Sequence, residues 1–406
     1  MIISRKYDIL IIILIASLSF GLIGGSLQIP RVLAIAFLPV LIDSFRYVRN
    51  YVKPYLLCFI AFWSFGLLSM TWTPDFSQGM KELVYFPVHF LLFLEIIAFS
   101  RLAKTPTHAV SMGWMVAVCL TLVVALWEIA TGHHLSLSVH QSNDYIHIGG
   151  KSIVRHYASV TFGNFNTYVT FLCFAFPFLL YRVSMIRGLK IKGLYPVLVV
   201  ILSAVCILYN ASRGGLISIV LMSAIYLRFN STKRYALPLT VILVLTSFYV
   251  LYTNMGILEA VIARGRDGKL LEDSGRLGIW IAVWKAFAAT YGLGVGMGGM
   301  QVAIAEYKTG INVAHNLFLE ILLQYGIIFL SVFLFYLLQL FRKAQKINNI
   351  SVKASLLMAL FTMPVYGIID SGYLLVPPIF VLLASLTVLA DDERTQFLRR
   401  TIRLII

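Results

Sequence analysis

Apolar runs long enough to cross a bilayer recur along the whole chain, separated by short basic connections, and this recurrence constrains the fold more than any other feature. A hydrocarbon layer about 30 Å thick takes roughly 20 helical residues at 1.5 Å each. On that measure the sequence predicts spans near 8–28, 32–45, 55–72, 83–100, 109–130, 167–185, 194–210, 214–229, 235–253, 315–341, 354–370 and 373–390. The expected fold class is therefore an all-α integral membrane protein with about twelve transmembrane helices. With 60% hydrophobic and 12% charged residues, the 406-residue chain has more apolar surface than one soluble core can bury. No stretch between the runs is long enough for a separate soluble domain, so residues 1–406 read as a single polytopic membrane domain. The first run follows Arg5 and Lys6 as a signal peptide would, but it has no small-residue cleavage site and more spans follow. It reads as a retained first helix, with nothing appended at either end.

The formal net charge of +16 lies in small clusters between apolar runs, not on one polar face. That pattern encodes membrane topology and argues against a nucleic-acid partner. If the N-terminus is cytoplasmic, Lys and Arg divide 22 to 11 in favour of the inside, and each cytoplasmic connection receives at least two. The positive-inside rule then places both termini in the cytoplasm. The outer side gains two sizeable loops, 131–166 and 254–314, and function concentrates on long loops held by a rigid scaffold. The second loop carries an amphipathic stretch, Leu277 to Ala289, with Trp280 and Trp284 one turn apart. It suits either the membrane interface or a helix packed on the outer ends of the spans.

Polar chemistry gathers on this outer side. Arg213 lies in Asn210-Ala211-Ser212-Arg213-Gly214-Gly215, a connection so short that the arginine stands at a helix mouth. A charge there is costly unless it meets an anion, and a helix start offers free amides and a positive dipole end. The bland alternative is an arginine reaching to headgroups. Arg276 follows Asp273-Ser274-Gly275, with Arg264, Arg266 and Lys269 upstream. Asp267, Glu272 and Asp273 neutralise part of that cluster, so a solvated charge run competes with an anion site. His315 heads the stretch His315-Asn316-Leu317 at the entrance to a span, where an imidazole can take a proton from a hydroxyl. Lone histidines are more often structural, and the chain has eight. None has metal-ligand spacing with carboxylates, and Cys58, Cys119, Cys173 and Cys206 all lie inside apolar runs, so neither a metal site nor a disulfide is expected.

Three further features invite a reading. The run Gly292, Gly294, Gly296, Gly298 and Gly299 has no preceding strand, so a closely packed return toward the membrane is favoured over a phosphate nest. Asn166 is expected to cap the next helix, with hydrogen bonding to a sugar as the alternative. Glu95, Glu128 and Asp370 lie in or at the ends of spans, where a carboxylate is a functional candidate by default.

Taken in order, Ser212-Arg213-Gly214-Gly215, Ser274-Gly275-Arg276 with Trp280 or Trp284 behind it, the glycine-rich return, and His315-Asn316-Leu317 with Leu319 and Gly326 resemble the bacterial O-antigen ligase and O-antigen polymerase superfamily. The likeness covers roughly residues 160–335; the first 130 residues resemble the family only as a hydropathy pattern. It implies a GT-C-like enzyme that takes a glycan from undecaprenyl pyrophosphate on the periplasmic face, with no cofactor and no obligatory metal. The resemblance implies that Arg213 and Arg276 hold the pyrophosphate and that His315 serves the acceptor hydroxyl. Arg264, Arg266, Asn166 and Asn316 are expected to bind substrate. The acceptor is a lipid A core sugar in a ligase, which chain length and motif spacing favour, or a lipid-linked glycan in a polymerase. A transporter or flippase is the competing class; the absence of internal repeats or paired broken spans argues against it.

Overall fold

A computed structural model describes residues 3–139, 144–148, 151–155, 157–186, 191–210, 212–230 and 276–405. The expected span at 235–253 and the cations Arg264 and Arg266 lie outside these described residues. Twelve α-helices account for most of the rest: α1 Arg5–Ala16, α2 Ile29–Ser69, α3 Phe76–Leu102, α4 Pro106–Thr131, α5 Phe165–Ser184, α6 Ile191–Tyr209, α7 Arg213–Asn230, α8 Arg276–Ala289, α9 Met300–Ala305, α10 Leu317–Gln345, α11 Ile350–Tyr366 and α12 Pro377–Ile405. Five of them (α2, α3, α4, α5 and α10) are long and apolar enough to cross a membrane, and the shorter apolar helices 194–209, 350–366 and 377–391 accompany them. The chain is a multi-pass membrane protein. The segment between α4 and α5 also contains an antiparallel hairpin, β1 Asp144–Ile148 with β2 Lys151–Arg155, in which Asp144 pairs with Arg155 and Ile148 with Lys151. Hydropathy gave no sign of it.

The expected spans 32–45 and 55–72 form one stretch of helical hydrogen bonding, α2, in place of two helices joined by a loop. That stretch is sharply bent. Were it straight, Arg31 and Phe59 would stand about 42 Å apart at 1.5 Å per residue. Both nevertheless touch the same turns of α3: Arg31 Nε donates to His89 Nε2 at 2.9 Å, and the Phe59 ring stacks on Phe86 and Phe90. The chain reverses between Ser44, which meets Tyr7 at 3.2 Å, and Tyr51, which donates to Asp391. Pro54 lies just beyond, where its ring removes one backbone donor and crowds the preceding turn. The basic residues Arg46, Arg49 and Lys53 thus sit around an elbow, and the predicted pair of crossings survives as two arms of a bend.

The helices run in alternation between two ends of the bundle. At one end the carboxylate of Asp391 takes bonds from Tyr51 at 2.8 Å, Lys343 at 2.9 Å and Arg101 at 3.2 Å. At the other end stand the starts of α5, α7, α8 and α10 and the close of α11. Between them lies a continuous apolar core including Trp114, Phe171, Phe178 and Tyr366.

The glycine-rich return sits against a broken helix. Inside α10, Gly326 has φ 76 and ψ −177, so the helical ladder stops there and restarts. Carbonyls freed by the break accept from Val295 N at 2.7 Å and Gly296 N at 3.1 Å, and Ile327 N donates to Gly292 O. Met297 N donates to Ser69 Oγ, Gly298 N to Gln324 Oε1, Gly294 N to Thr290 Oγ1 and Gly299 N to Gly296 O. A nest for phosphate needs unspent amides. Every amide from residue 294 to 299 is already engaged, so the packed return is what forms. Side chains have no room: a Cβ on Gly294 would stand 2.7 Å from Gly326 N, with φ at +87.

Candidate functional site

The three residues singled out for chemistry come from three separate helix starts. Ser212 caps α7, accepting from Gly215 N at 3.3 Å, and this places Arg213 at the first position of the helix. Arg276 opens α8. This helix buries Ile279, Val283 and Ala286 against Met300, Ile304 and Leu323, and exposes Leu277, Ile281 and Trp284. Trp280 Nε1 donates to Ala314 O at 3.0 Å, anchoring α8 to the segment that carries His315. The two tryptophans therefore do different things: one holds the helix to the bundle and the other faces outward. Asn316 caps α10, its Oδ1 accepting from Phe318 N at 3.0 Å and Leu319 N at 3.3 Å. His315, one residue before the cap, has φ 46, a left-handed conformation that strains a residue with a Cβ.

These starts share one neighbour, the turn that follows α11. A Cβ on Gly214 would come 2.7 Å from Ile369 Cγ1, so the glycine lets the Arg213 helix start rest on the turn. Arg276 Nη2 donates to Ile369 O at 3.4 Å. Leu317 N donates to Gly367 O at 2.9 Å, and the His315 ring lies beside the Asp370 backbone. Arg276 lies close enough to Arg213, Asp370 and His315 to interact electrostatically with each. The structure thus brings Arg213, Arg276 and His315 together and adds Asp370.

The electrostatics suit an anion and a proton acceptor. Burial, then the Arg276 cation, push the His315 pKa below its ordinary value, and the Asp370 backbone only partly offsets them. The ring is neutral at physiological pH. Its Nδ1 is buried and, among the described residues, has no hydrogen-bond partner. Burial lowers the Arg276 pKa, and the nearby Arg213 cation lowers it further; Tyr373 and Asp370 act the other way. Two cations held this close are relieved by an incoming anion. Asp370 is pushed upward by burial and pulled back by hydrogen bonds from Thr167 and Ser371 and by Arg276.

Other expectations resolve differently. Asn166 does not cap α5: Asn164 does, its Oδ1 accepting from Asn166 N at 2.8 Å. The first asparagine of the pair is the one that still has extended backbone, as a cap requires. Glu128 is fully buried and accepts from Ser159 N at 2.7 Å, Val160 N at 2.9 Å and Leu135 N at 3.3 Å, which accounts for it as a tie for the outer loop. Glu95 is fully buried in α3. Glu320 escaped sequence reasoning altogether. It lies one turn inside a span next to the histidine motif, and only that spacing hinted at it. Among the described residues no group of three or more His, Cys, Asp or Glu is placed to hold a metal ion.

A multi-pass helical membrane protein with a cationic, histidine-bearing site at one end of its bundle is the class these observations define. Residues 198–334 match the family model described as O-Antigen ligase, so that stretch of the chain is similar to the family. That stretch falls within the one that carries the motif resemblance and includes Arg213, Arg276 and His315. The chain is also a distant relative of the teichuronic acid biosynthesis protein TuaE of Bacillus subtilis (strain 168). The two are 24% identical over 311 residues, covering 71% of this chain and 61% of the relative. The match thus spans about six-tenths of the length of that relative.

Proposed function

We propose that this protein is a membrane glycosyltransferase that moves a glycan from undecaprenyl pyrophosphate to an acceptor sugar hydroxyl on the non-cytoplasmic face, acting first of all as an O-antigen ligase. The observation that carries this reading is the convergence of Arg213, Arg276 and His315 on the turn after α11. A leaving pyrophosphate gathers negative charge as the anomeric bond breaks. Two guanidinium groups at a partly desolvated helix mouth stabilise that charge and present the planar fork that matches phosphate oxygens. His315 takes the acceptor hydroxyl proton while the new bond forms from acceptor oxygen to anomeric carbon. The old bond to the pyrophosphate oxygen breaks with its electron pair. Attack opposite the leaving group inverts the anomeric centre.

Charge supports the proposed sidedness. Arg46, Arg49, Lys53, Arg101, Lys104, Arg182, Arg228, Lys343 and Lys353 belong to the end of the bundle opposite the site. The positive-inside rule makes that end cytoplasmic and the site external.

The relative named for teichuronic acid biosynthesis favours a second reading, in which the acceptor is itself lipid-linked and the enzyme polymerises repeat units. Purified protein in proteoliposomes, given an undecaprenyl-pyrophosphate-linked glycan and either a lipid A core or a second lipid-linked glycan, separates the two by which product grows. Inverted configuration at the new linkage is expected. Absence of transfer to either acceptor, with ion-coupled uptake of the glycan in its place, would overturn the enzyme reading in favour of a transporter.

A further inference from the structure

The turn 367–376 meets Arg276, His315 and the Gly214 that follows Arg213, and two separate devices hold it. On one side stands Glu320, 1% exposed, one turn into α10 and five residues after His315. Its two carboxylate oxygens accept from consecutive backbone amides, Gly372 N at 2.7 Å and Tyr373 N at 3.0 Å. Gly372 has φ +71, the left-handed conformation that lets successive N–H groups converge on one anion. On the other side Arg31, 6% exposed, donates from Nη2 to Leu375 O at 3.0 Å and from Nε to His89 Nε2 at 2.9 Å, while His89 Nδ1 contacts Leu374 O at 3.3 Å. Inside the turn, Tyr373 Oη donates to Tyr366 O and accepts from Asp370 N.

A loop between two helices is ordinarily the least precise part of a bundle. Here consecutive residues are clamped from opposite sides by buried polar groups, and one clamp sits on the same short half-helix as the histidine, between His315 and the break at Gly326. Resting on the reading of the site given above, we propose that Glu320 is a positioning residue: by gripping the 372–373 amides it fixes Ile369 and Asp370, and through them the mutual placement of Arg213, Arg276 and His315. It touches no reacting atom. Its role is to convert three independent helix starts into one preorganised site.

The test reads the His315 ring directly, so it does not depend on identifying the glycan. Histidines are labelled with carbon-13, the full-length protein is purified in detergent, and the His315 signal is assigned by its loss in His315→Gln. The groups facing this ring are Arg276 from α8 and the Asp370 backbone from the turn. Wild-type His315 is expected to titrate below 6.5. In Glu320→Gln an amide N–H₂ replaces one acceptor and opposes a backbone N–H, the turn loosens, water enters and Arg276 drifts. Burial and that cation are the two leading causes of the depressed value, so the titration is expected to move up toward 6.5. Glu320→Asp should fall between the two, and Gly372→Ala should act in the same direction from the other partner if the Glu320 variants do not purify folded. Glu128→Gln, which weakens a similar carboxylate-to-amide tie elsewhere, should lower thermal stability but leave the His315 titration unmoved. Where transfer is measured, Glu320→Gln should lower kcat about 10- to 100-fold, the scale of a misplaced catalytic group, with donor KM little changed. A His315 titration that stays at its wild-type position in every folded turn variant, or one that moves equally in Glu128→Gln, overturns the proposal. Absent transfer by wild type alongside the expected titration shifts would overturn the glycosyltransferase reading and leave the clamp standing.

Discussion

Replacing Arg276 by alanine is the sharpest test of the charge argument. Arg276 is half-buried at the start of α8, its guanidinium bonded to Ile369 O and close to Arg213, Asp370 and His315. A preorganised donor aimed at developing negative charge is worth about 2.7–4 kcal/mol when fully desolvated. This one is partly exposed, and its removal relieves repulsion with Arg213, so the lower part of that range applies. A loss of about 2.7–3.3 kcal/mol corresponds to roughly 100- to 270-fold in turnover at 1.36 kcal/mol per decade. Arg276→Lys keeps the charge but loses the planar fork, and should recover part of the rate. The assay is transfer from lipid-linked donor in proteoliposomes, normalised to folded protein by thermal unfolding. Wild-type turnover in Arg276→Ala would remove the arginine from the site and, with it, the account of how pyrophosphate leaves. A uniform loss of folded protein with unchanged specific activity would refute it equally.

His315 acts only when neutral. With its folded pKa depressed by burial and Arg276, activity should persist as pH falls through 6.5 and be lost below it, and His315→Ala should abolish turnover. An acid limb at or above 6.5 in wild type contradicts the assignment. Glu128→Ala leaves the buried amides of Ser159 and Val160 without an acceptor and should destabilise the protein by about 2–6 kcal/mol, at about 1–3 each. The acid limb of any remaining activity should stay in place, and a shifted limb would return Glu128 to the list of functional carboxylates. Gly294→Ala puts a Cβ 2.7 Å from Gly326 N at φ +87. It should cost about 2–5 kcal/mol through strain and overpacking, seen as a lower unfolding temperature in detergent.

Most of the architecture was legible from hydropathy, because a membrane span is a one-dimensional property: about 20 apolar residues suffice to specify it. The helices near 83–100, 109–130, 167–185 and 315–341 appear within a few residues of their expected places. The reversal near residue 50 was legible as a basic break, although Pro54 turns it as a bend inside a helix. The motif residues Arg213, Arg276 and His315 were also legible, since each stands at a helix start marked by glycine, serine or asparagine. What sequence pattern does not carry is distance between segments far apart in the chain. Glu95 and Glu128 looked no different from Asp370 as carboxylates near span ends. Only tertiary packing distinguishes the three: Glu128 is spent on the amides of its own loop, Glu95 is fully buried within α3, and Asp370 faces Arg276 and His315. The alternation of glycines from 292 to 298 was ambiguous for the same reason, because the amides it offers are consumed by a helix break that no local signal announces. The sequence by itself determined that this chain crosses a membrane many times and which residues open its helices. Packing alone decided which of those openings meet, because that depends on buried contacts such as Glu320 with the 372–373 amides, formed between residues more than fifty positions apart.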